Sequence, residues 1–335
     1  PPPRLRANVL GHSIGALPLR SATAHAIEDR LRELEEAGAA PATVEHLRRT
    51  LRTVFNKARK SKLWDRNPAA DVDARSMDPV RETKPLTAEE VAQVVAAIAE
   101  PWKRDLVAVA FYTAMRKGEL LALEKEAVDF DALTVRVGRS HGRSTTKGGH
   151  RDTIPLAAPV RPYLKHAIEA AEDSDLVFPG PGGERRPAST DAVAIVQKAL
   201  RDAGIVLGWD HVCRRKCCRD EAGAQYVERH PERREGLRCP RCGMRLWSKP
   251  VPRPFTFHAL RHTAASLLVR AKVGLPQLQR IMRHRSIDTT IRRYAHLYDD
   301  DLRAALAMLP ALPPPEPKTR PAEAPMVAVA GTVVP

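Results

Sequence analysis

The chain has few aromatic residues, no long apolar segment, and cysteines in one stretch only. Phenylalanine, tryptophan and tyrosine make up 4% of the 335 residues, so a core must be built mainly from aliphatic side chains. No apolar run approaches the roughly 20 residues that span a bilayer, which excludes an ordinary transmembrane helix. The chain begins with Pro1 and no signal-peptide pattern follows, so we expect a fragment that lacks its natural start.

The charge balance is strongly basic. There are 55 Lys and Arg residues against 40 Asp and Glu residues, a formal net charge of +15 at pH 7. Such an excess favours a polyanionic partner, nucleic acid ahead of an anionic membrane, although it is equally compatible with solubility alone. Hydrophobic residues make up 43% of the chain, enough for a packed core, and the length indicates about two domains.

Hydrophobic periodicity divides the chain into a short helical region and a longer mixed region. Asn67-Pro68 closes the first region, and the capping box Thr87-Ala-Glu-Glu90 predicts the first helix of the second. Short strands are predicted at 128–137 and 151–156, on either side of a glycine-rich turn. Further helices are predicted at 23–37, 44–58, 101–115, 158–172, 188–203, 255–272, 275–283 and 287–309.

The helix predicted at 44–58 has a basic outer face. Between residues 41 and 66 there are eight Lys or Arg residues and two acidic residues. Thr43 is the expected N-cap. The basic face is either an ordinary solvated surface or a surface that lies along phosphate groups.

Five separated motifs carry residues suited to phosphate chemistry. Each motif alone is weak, because helix-end arginines are usually solvated or paired and turn lysines usually have no special role. The key residues are Arg116 in Met115-Arg-Lys-Gly-Glu-Leu120, Lys147 in Thr145-Thr-Lys-Gly-Gly149, His258 and Arg261 in Phe257-His-Ala-Leu-Arg-His-Thr263, His284 in Met282-Arg-His-Arg-Ser-Ile-Asp-Thr-Thr290, and Tyr294 in Tyr294-Ala-His-Leu297.

In this order the motifs resemble those of the tyrosine recombinase, or phage integrase, family over roughly residues 20–310. His258-Ala-Leu-Arg261-His262 matches the family's specific HxLRH motif. The resemblance implies a mainly α fold, with a helical core-binding domain and a mixed α+β catalytic domain that contains a short antiparallel sheet. The predicted divisions are an unassigned segment at 1–20, a DNA-clamping core-binding domain at 21–76, a linker at 77–85, the catalytic domain at 86–310 and a disordered Pro-rich tail at 311–335.

The resemblance implies that the protein cuts and rejoins DNA strands with no cofactor for catalysis. Tyr294 would attack the scissile phosphate, form a 3′-phosphotyrosine and release a 5′-hydroxyl. Arg116 and Arg261 would bind the phosphate oxygens, which planar guanidinium groups suit well. His258 would manage the tyrosine proton, and His284 would donate to a phosphate oxygen.

The same resemblance makes Lys147 the acid that protonates the leaving 5′-oxygen. Its place in the turn of a predicted hairpin would let the side chain move onto the phosphate. Lys117 and Lys165 are the alternative acids.

The spacing before the tyrosine departs from the family pattern. Tyr294 follows His284 by ten residues, whereas nine are usual in the family. One extra residue in a helix turns a side chain by about 100°, although a loop or bulge near Thr289-Thr290 would absorb it. Tyr298 is the alternative nucleophile but lacks the Tyr-Ala-His context, and an inactive recombinase also fits this departure.

All five cysteines lie in an insert at 209–250 that the family resemblance does not explain. Cys239-Pro-Arg-Cys242-Gly243 has the spacing of a zinc knuckle. Cys213 with Cys217 or Cys218 supplies the second half, and we favour Cys218, with His211 as an alternative ligand. Free buried thiols are the simpler interpretation. We expect a small zinc-ribbon-like insert in which one structural Zn²⁺ is bound by Cys213, Cys218, Cys239 and Cys242.

The resemblance also implies partners and surroundings. We expect double-stranded DNA as the partner, a homotetramer on two recombination sites, and no membrane association. The expected setting is a mobile element, with the protein in the bacterial cytoplasm and associated with the nucleoid. Two alternatives stay open, a type IB topoisomerase-like nicking-closing enzyme and a catalytically inactive zinc-containing DNA-binding regulator.

Overall fold

The computed structural model describes residues 22–75, 84–138, 152–220, 223–295 and 297. The chain divides into two compact units, Pro1–Glu82 and Thr83–Pro335, and the division falls inside the predicted linker at 77–85. The predicted N-terminal segment and Pro-rich tail lie outside the described residues. None of the helices in the described ranges combines the length and apolar character needed to cross a bilayer.

The first unit is built on two helices, α1 (Ala24–Glu36) and α2 (Pro41–Lys60). The Thr23 hydroxyl accepts a hydrogen bond from the third residue of α1 and so caps that helix. The expectation that Thr43 caps α2 is wrong, because α2 begins at Pro41 after the N-cap Ala40. Proline suits the first helical position, where its missing N–H removes a donor that would have no helical partner.

Two charged residues of α2 are buried in the first unit. Arg48 donates from Nε to Glu45 at 2.8 Å and from Nη1 to the Val72 carbonyl at 3.1 Å. The hydrogen bond from Arg48 lowers the pKa of Glu45 to about 2. Val54 has the helical spacing of the apolar residues at 44–58 but is 52% exposed, whereas Glu45 and Arg48 are buried. The buried face of α2 is therefore partly ionic.

The second unit mixes helices with two small antiparallel sheets. The Thr87 capping box is confirmed, with reciprocal hydrogen bonds between Thr87 and Glu90. The helices are α3 (Ala88–Ala96), α4 (Pro101–Thr113), α5 (Lys117–Leu120), α6 (Arg161–Ala170), α7 (Ala192–Asp202), α8 (Phe257–Arg270), α9 (Leu275–Met282) and α10 (Ile287–Tyr294). The strands are β1 (Val128–Asp129), β2 (Thr134–Val137), β3 (Asp152–Pro155), β4 (Val206–Val212), β5 (Val227–His230) and β6 (Trp247–Pro252).

An aliphatic core joins α4 and α8 to the surrounding helices and the first sheet. Leu106, Val107 and Val109 of α4 are all fully buried, and Leu260 of α8 belongs to the same cluster. The first sheet has the order β1-β2-β3, and Val135 pairs with Ile154 across β2 and β3. The strand predicted at 128–137 is therefore two strands joined by a turn.

The second sheet forms the insert and was not predicted from the sequence. Its order is β5-β4-β6, and β4 pairs with β6 from Val206 opposite Pro252 to Val212 opposite Trp247. A bulge lies between Val206 and Gly208, where a Cβ atom on Gly208 would come within 2.5 Å of the His230 carbonyl oxygen. Only glycine permits that close approach of β4 to the end of β5.

Candidate active site and metal centre

Two helices bring the tyrosine to the histidine-rich motif. Thr256 caps α8 with its side chain, so α8 starts just before His258, and Arg261 follows on the same helix face. Tyr294 is the last residue of α10 and is 2% exposed. Its hydroxyl lies 2.7 Å from Nδ1 of His262, one helical turn after His258.

The hydrogen bonds around His262 fix which ring nitrogen carries the proton. Arg293 lies with Nη1 2.6 Å from Nε2 of His262. Because a guanidinium has no acceptor, Nε2 must accept, and the proton of the neutral ring is on Nδ1. Burial, followed by the neighbouring His258 and the charge of Arg293, lowers the pKa of His262 to about 3. His262 therefore donates from Nδ1 to the Tyr294 hydroxyl oxygen at neutral pH.

The tyrosine hydroxyl is protonated in this arrangement. Burial raises the pKa of Tyr294 to about 12, although Arg293 and Arg261 favour the phenolate. His262 can stabilise the phenolate but cannot take its proton at Nδ1, which already carries one. The ring of His258 packs edge-on against His262 with centroids 4.7 Å apart, and burial and Arg261 lower its pKa. His258 is thus neutral at pH 7 and lies against the histidine that contacts the Tyr294 hydroxyl.

Arg261 connects the ends of two helices. It is 2% exposed, and its two terminal nitrogens donate to the backbone carbonyls of Ala114, just after α4, and Met282, the last residue of α9. Burial, with the nearby charges of Arg283 and Arg116, lowers its pKa to about 9, so the group remains charged at pH 7. A guanidinium has five N–H donors, so three remain for a phosphate.

Glu119 organises two more arginines. It is 2% exposed and accepts hydrogen bonds from Arg116 Nη1 and from Arg283 Nη2, both at 2.7 Å. Burial opposes its ionisation, but the charge of Arg283 and the hydrogen bonds from Arg116 hold its pKa below the ordinary value. Arg283 reaches Glu119 from a backbone with φ +49°, a conformation that side-chain-bearing residues rarely adopt.

His284 follows α9 and faces the start of the last helix. Its Nδ1 lies 2.9 Å from the Thr290 hydroxyl, and Thr290 is fully buried. Burial, followed by the charges of Arg261 and Arg116, lowers the pKa of His284 to about 4. A neutral His284 can therefore present its other ring nitrogen to the site.

The structure brings most of the predicted site residues into one neighbourhood. Arg116 and Arg283 share Glu119, and Arg283 and Arg261 both donate to the Ala114 carbonyl, so these three motifs lie close together. Lys147 lies outside the described residues, and so does the alternative nucleophile Tyr298. The predicted residues that lie together are Arg116, His258, Arg261, His284 and Tyr294.

Several residues that hold this site together have no role that the sequence predicts. The helical spacing could have indicated His262, since it follows His258 by four residues on a predicted helix and so shares a face with it. Glu119 has the same relation, three residues after Arg116. Arg283 and Thr290 lie within the fourth motif, but no spacing rule indicates that they turn inward.

Four cysteines form a compact cluster in the insert, and they are the four that the sequence predicted. The Sγ atoms of Cys213, Cys218, Cys239 and Cys242 all lie within 4.8 Å of one another. Two pairs are closer, Cys213 to Cys242 at 3.7 Å and Cys218 to Cys239 at 3.6 Å. Four sulfurs at about 2.3 Å from a tetrahedral Zn²⁺ would be about 3.8 Å apart, so the thiols fit such an ion.

The surroundings of the cluster also suit a metal knuckle. Gly243 has φ +68° and donates its amide to the Cys239 carbonyl at 2.8 Å, which makes the tight turn after Cys242. His211, the alternative ligand, is buried elsewhere, with Nε2 3.0 Å from the Arg234 carbonyl oxygen. The Cys217 side chain lies outside the part of the chain that the structure describes.

A sequence profile of the phage integrase family matches residues 84–229 and 243–301. That match covers more than half of the chain, which therefore belongs to the phage integrase family. The residues between the two matched segments, 230–242, lie in the insert. The family thus accounts for the helices that carry the candidate active site, but not for this part of the cysteine-containing insert.

Curated relatives agree with that assignment. The chain is 32% identical over 117 residues to an integrase from Saccharopolyspora erythraea, a match that covers 35% of this chain and 26% of the relative. It is 26% identical over 263 residues to the tyrosine recombinase XerC from Caldanaerobacter subterraneus subsp. tengcongensis, covering 77% of this chain and 60% of the relative. The chain thus spans between about a quarter and 60% of the length of these relatives.

Solved structures show that the fold is shared. The Tn1549 transposon integrase, in complex with circular intermediate DNA, has a TM-score of 0.60 at 20% identity, with 88% of each chain covered. A lambda integrase tetramer bound to a Holliday junction has a TM-score of 0.53 at 18% identity, covering 82% of this chain and 65% of the other. This chain therefore has the integrase catalytic fold.

Proposed function

We propose that this protein is a site-specific DNA recombinase that cuts and rejoins strands through a 3′-phosphotyrosyl intermediate. The observation that carries the proposal is the hydrogen bond from His262 Nδ1 to the Tyr294 hydroxyl, on the helix that also carries the buried Arg261. This arrangement offers a nucleophile, donors to its developing charge, and cations for a phosphate. Family membership supports the same reaction class.

The first step is attack by the Tyr294 oxygen on the scissile phosphorus. The new bond joins that oxygen to the 3′-phosphate, and the bond to the 5′-oxygen breaks. Arg261 and Arg116 bind the non-bridging oxygens, where preorganised donors are each worth roughly 3–4 kcal/mol in the transition state. His284 supplies a further hydrogen bond to the phosphate.

Two protons move in that step. The phenol proton of Tyr294 passes to His258, since Nδ1 of His262 already carries a proton and stays hydrogen-bonded to the phenolate. The leaving 5′-oxygen takes a proton from Lys147, a role that rests on the sequence motif alone. Attack by a free 5′-hydroxyl from another strand reverses the step and restores the tyrosine.

The first unit serves as the core-binding domain in this proposal. The basic residues of α2 outside the buried Glu45–Arg48 pair are available to contact the DNA backbone. Because solved relatives include a dimer on a core site and a tetramer on a Holliday junction, we propose a homotetramer on two recombination sites. The protein would act on the bacterial chromosome, in the cytoplasm and with the nucleoid.

The cysteine cluster is proposed to hold one structural Zn²⁺ in a zinc-ribbon-like insert. Four thiolate ligands leave no open coordination position, so the ion would stabilise the insert and take no part in strand cleavage. The charge of the ion with four thiolates is −2, which nearby arginines offset. Arg241, for example, donates to the Cys218 carbonyl at 3.0 Å.

Covalent trapping tests the proposed reaction. Duplexes enriched by binding from a randomised pool would be rebuilt with a nick close to the cleavage position, so that the cut strand diffuses away and the adduct accumulates. We expect a protein–DNA adduct with the wild-type chain and none with Tyr294→Phe, which should still bind the duplex.

Tyr298→Phe is the matched control and should form the adduct at the wild-type rate. Adduct formation by Tyr294→Phe but not by Tyr298→Phe would assign the nucleophile to Tyr298. Specific binding by the wild-type chain without an adduct on any enriched duplex would favour a non-catalytic regulator.

A further inference from the structure

The insert carries a basic groove that is separate from the candidate active site. The groove has a volume of about 440 Å³ and lies beside the cysteine cluster, between the segment that follows β4 and the turn that precedes β6. Exposed arginines line it on both sides. The residues on which the inference depends are Arg214, Arg215, Arg233, Arg234, Arg245 and Trp247.

The groove arginines have little negative charge to neutralise them. Across the pairs of described residues, one ion pair involves a groove arginine, Arg233 with Glu235 at 3.9 Å, and both side chains are more than half exposed. Such an exposed pair contributes little energy and opens easily. Over the whole insert, 209–250, there are eleven Lys and Arg residues against six Asp and Glu residues. Like charges gathered around a groove favour a polyanion as its occupant.

Trp247 holds one of these arginines in a defined orientation. The guanidinium carbon of Arg214 lies 3.4 Å from the centroid of the Trp247 ring, which is the contact distance of two stacked planes. Stacking leaves the N–H groups at the edge of the guanidinium plane free to donate. Trp247 itself remains 53% exposed, although aromatic residues are scarce in this chain. A large exposed aromatic that orders an arginine is typical of a binding surface.

The groove is fixed to the rest of the second unit. At the foot of the insert, Gln197 of α7 donates to the Phe255 carbonyl at 2.6 Å. Arg253 forms an ion pair with Glu90 of α3 at 3.0 Å, and both side chains are mostly buried. These contacts attach the foot of the insert to α3 and α7, and the paired strands β4 and β6 connect that foot to the groove.

We infer that this groove is a second DNA-binding surface, which contacts the phosphate backbone of duplex DNA without reading its sequence. Guanidinium groups bind phosphate oxygens in pairs of hydrogen bonds, and several arginines along a groove can follow successive phosphates. The inference rests on DNA as the substrate of the proposed function, but it does not depend on strand cleavage.

The test measures how the affinity for a short duplex of random sequence changes with salt. Each lost phosphate contact reduces the slope of log K against log salt by about 0.9. The variant Arg233→Gln/Arg234→Gln/Arg245→Gln should therefore reduce the slope by about 2–3. At every salt concentration from 50 to 200 mM it should bind at least ~10-fold more weakly than the wild type. The lysine version, Arg233→Lys/Arg234→Lys/Arg245→Lys, should keep most of the slope because it keeps the charge.

A control with the same loss of charge separates the groove from net charge. Arg219→Gln/Arg229→Gln/Lys249→Gln removes three positive charges from the same insert at residues that do not line the groove. We expect its slope to change by less than about one contact. Equal losses in the two glutamine variants would overturn the inference, and so would a groove variant with the wild-type slope.

Two further measurements decide between occupants. A groove variant that keeps its duplex slope but changes its sedimentation on DNA would make the groove a subunit contact instead. If the groove variant loses affinity for single-stranded oligonucleotides but keeps its affinity for duplexes, duplex DNA is excluded as the occupant of the groove. The groove variant should still form the adduct on a saturating nicked duplex. Failure of the groove inference can therefore be distinguished from failure of the proposed recombinase activity.

Discussion

The candidate active site and the cysteine insert belong to one unit, but different interactions hold them together. The active site packs on apolar side chains from distant parts of the chain, and its apolar cluster includes Ala114, Val269, Met282 and Tyr294. The cluster inside the insert consists of three cysteines and Leu246, with a few partly buried neighbours. The first region depends on the core of the unit, whereas the second depends on its thiols.

The two regions also use arginine in opposite ways. In the candidate active site, Arg261 and Arg283 are buried. Arg261 donates hydrogen bonds to backbone carbonyls, and Arg283 donates to Glu119. In the insert, Arg214 and its neighbours point to solvent around an open groove. Positive charge is thus part of the framework in one region and is free for a ligand in the other.

Removing the metal should separate the two regions most clearly, because it should unfold the insert and leave the candidate active site folded. Structural zinc contributes about 10–16 kcal/mol to the folding of small zinc modules, and the insert has little other core. Chelation or Cys239→Ser should make residues 213–242 sensitive to protease, while adduct formation at saturating DNA stays within about tenfold of wild type.

Cys217→Ser is the matched control and should retain one zinc per chain by elemental analysis. Finding no zinc in the wild-type chain would discard the metal site. Loss of cleavage on chelation, with recovery on adding Zn²⁺, would show that the two regions are not independent.

The next largest effect is expected at Glu119. Glu119→Gln leaves Arg283 buried opposite a neutral amide, and breaking a buried pair in this way costs about 3–5 kcal/mol. Adding Arg283→Gly should recover part of the loss, because it removes the unpaired charge and glycine adopts φ +49° freely. Urea unfolding of the two single variants and the double variant measures the coupling. Strictly additive effects would mean that the pair does not stabilise the site.

Arg261→Lys tests the active site through chemistry. One ammonium group cannot bond the carbonyls of Ala114 and Met282 and also fork a phosphate. We expect the rate of adduct formation on saturating nicked duplex to fall by at least ~10². Arg270→Lys, in the last turn of the same helix, should have no effect. A wild-type rate for Arg261→Lys would remove Arg261 from the phosphate site.

Acid should destabilise the active site gradually. The pKa values of His262 and His284 are lowered to about 3 and about 4, so between pH 6.5 and pH 4 the unfolded chain binds protons that the folded chain does not. The contribution of these two histidines to the free energy of unfolding is therefore fully present above pH 6.5, and it decreases as the pH falls below that value. Solvent reaches both rings, so the slope should stay well below the limit of about 1.4 kcal/mol per group per pH unit.

Comparison with His262→Gln/His284→Gln isolates this contribution from that of other groups. The double variant should lose less stability than the wild type between pH 6.5 and pH 4 in urea unfolding. Parallel profiles for the two proteins would show that these histidines titrate normally.

The helices of the second unit could be predicted because their apolar spacing and caps are local signals. The predicted range 255–272 contains α8, and 275–283 contains α9. Tyr294 was preferred over Tyr298 on motif context, and the structure gives the physical reason for its burial. Thr290 and Tyr294 are four residues apart on α10 and share its buried face. The loop or bulge expected near Thr289-Thr290 is not seen, because α10 runs unbroken from Ile287 to Tyr294.

The remaining features depend on tertiary packing that local signals do not reveal. Nothing in the sequence around Glu45 and Arg48 distinguishes a buried ion pair from an exposed one. The strands of the insert were missed because they are short and lack regular apolar alternation, as in Val227-Glu-Arg-His230. The sequence does not indicate the inward direction of Arg283, because that direction arises from the left-handed backbone after α9.

The hydrogen-bonded ends of the insert have a consequence for how the segment between them can be replaced. Val206 lies opposite Pro252, and the Arg253 amide donates to the Ile205 carbonyl at 3.4 Å. The chain therefore leaves the catalytic unit and returns to it at one point. A loop of about two to five residues would close that gap between α7 and α8. The segment from Val206 to Pro252 can therefore be replaced by such a loop without moving α7 or α8.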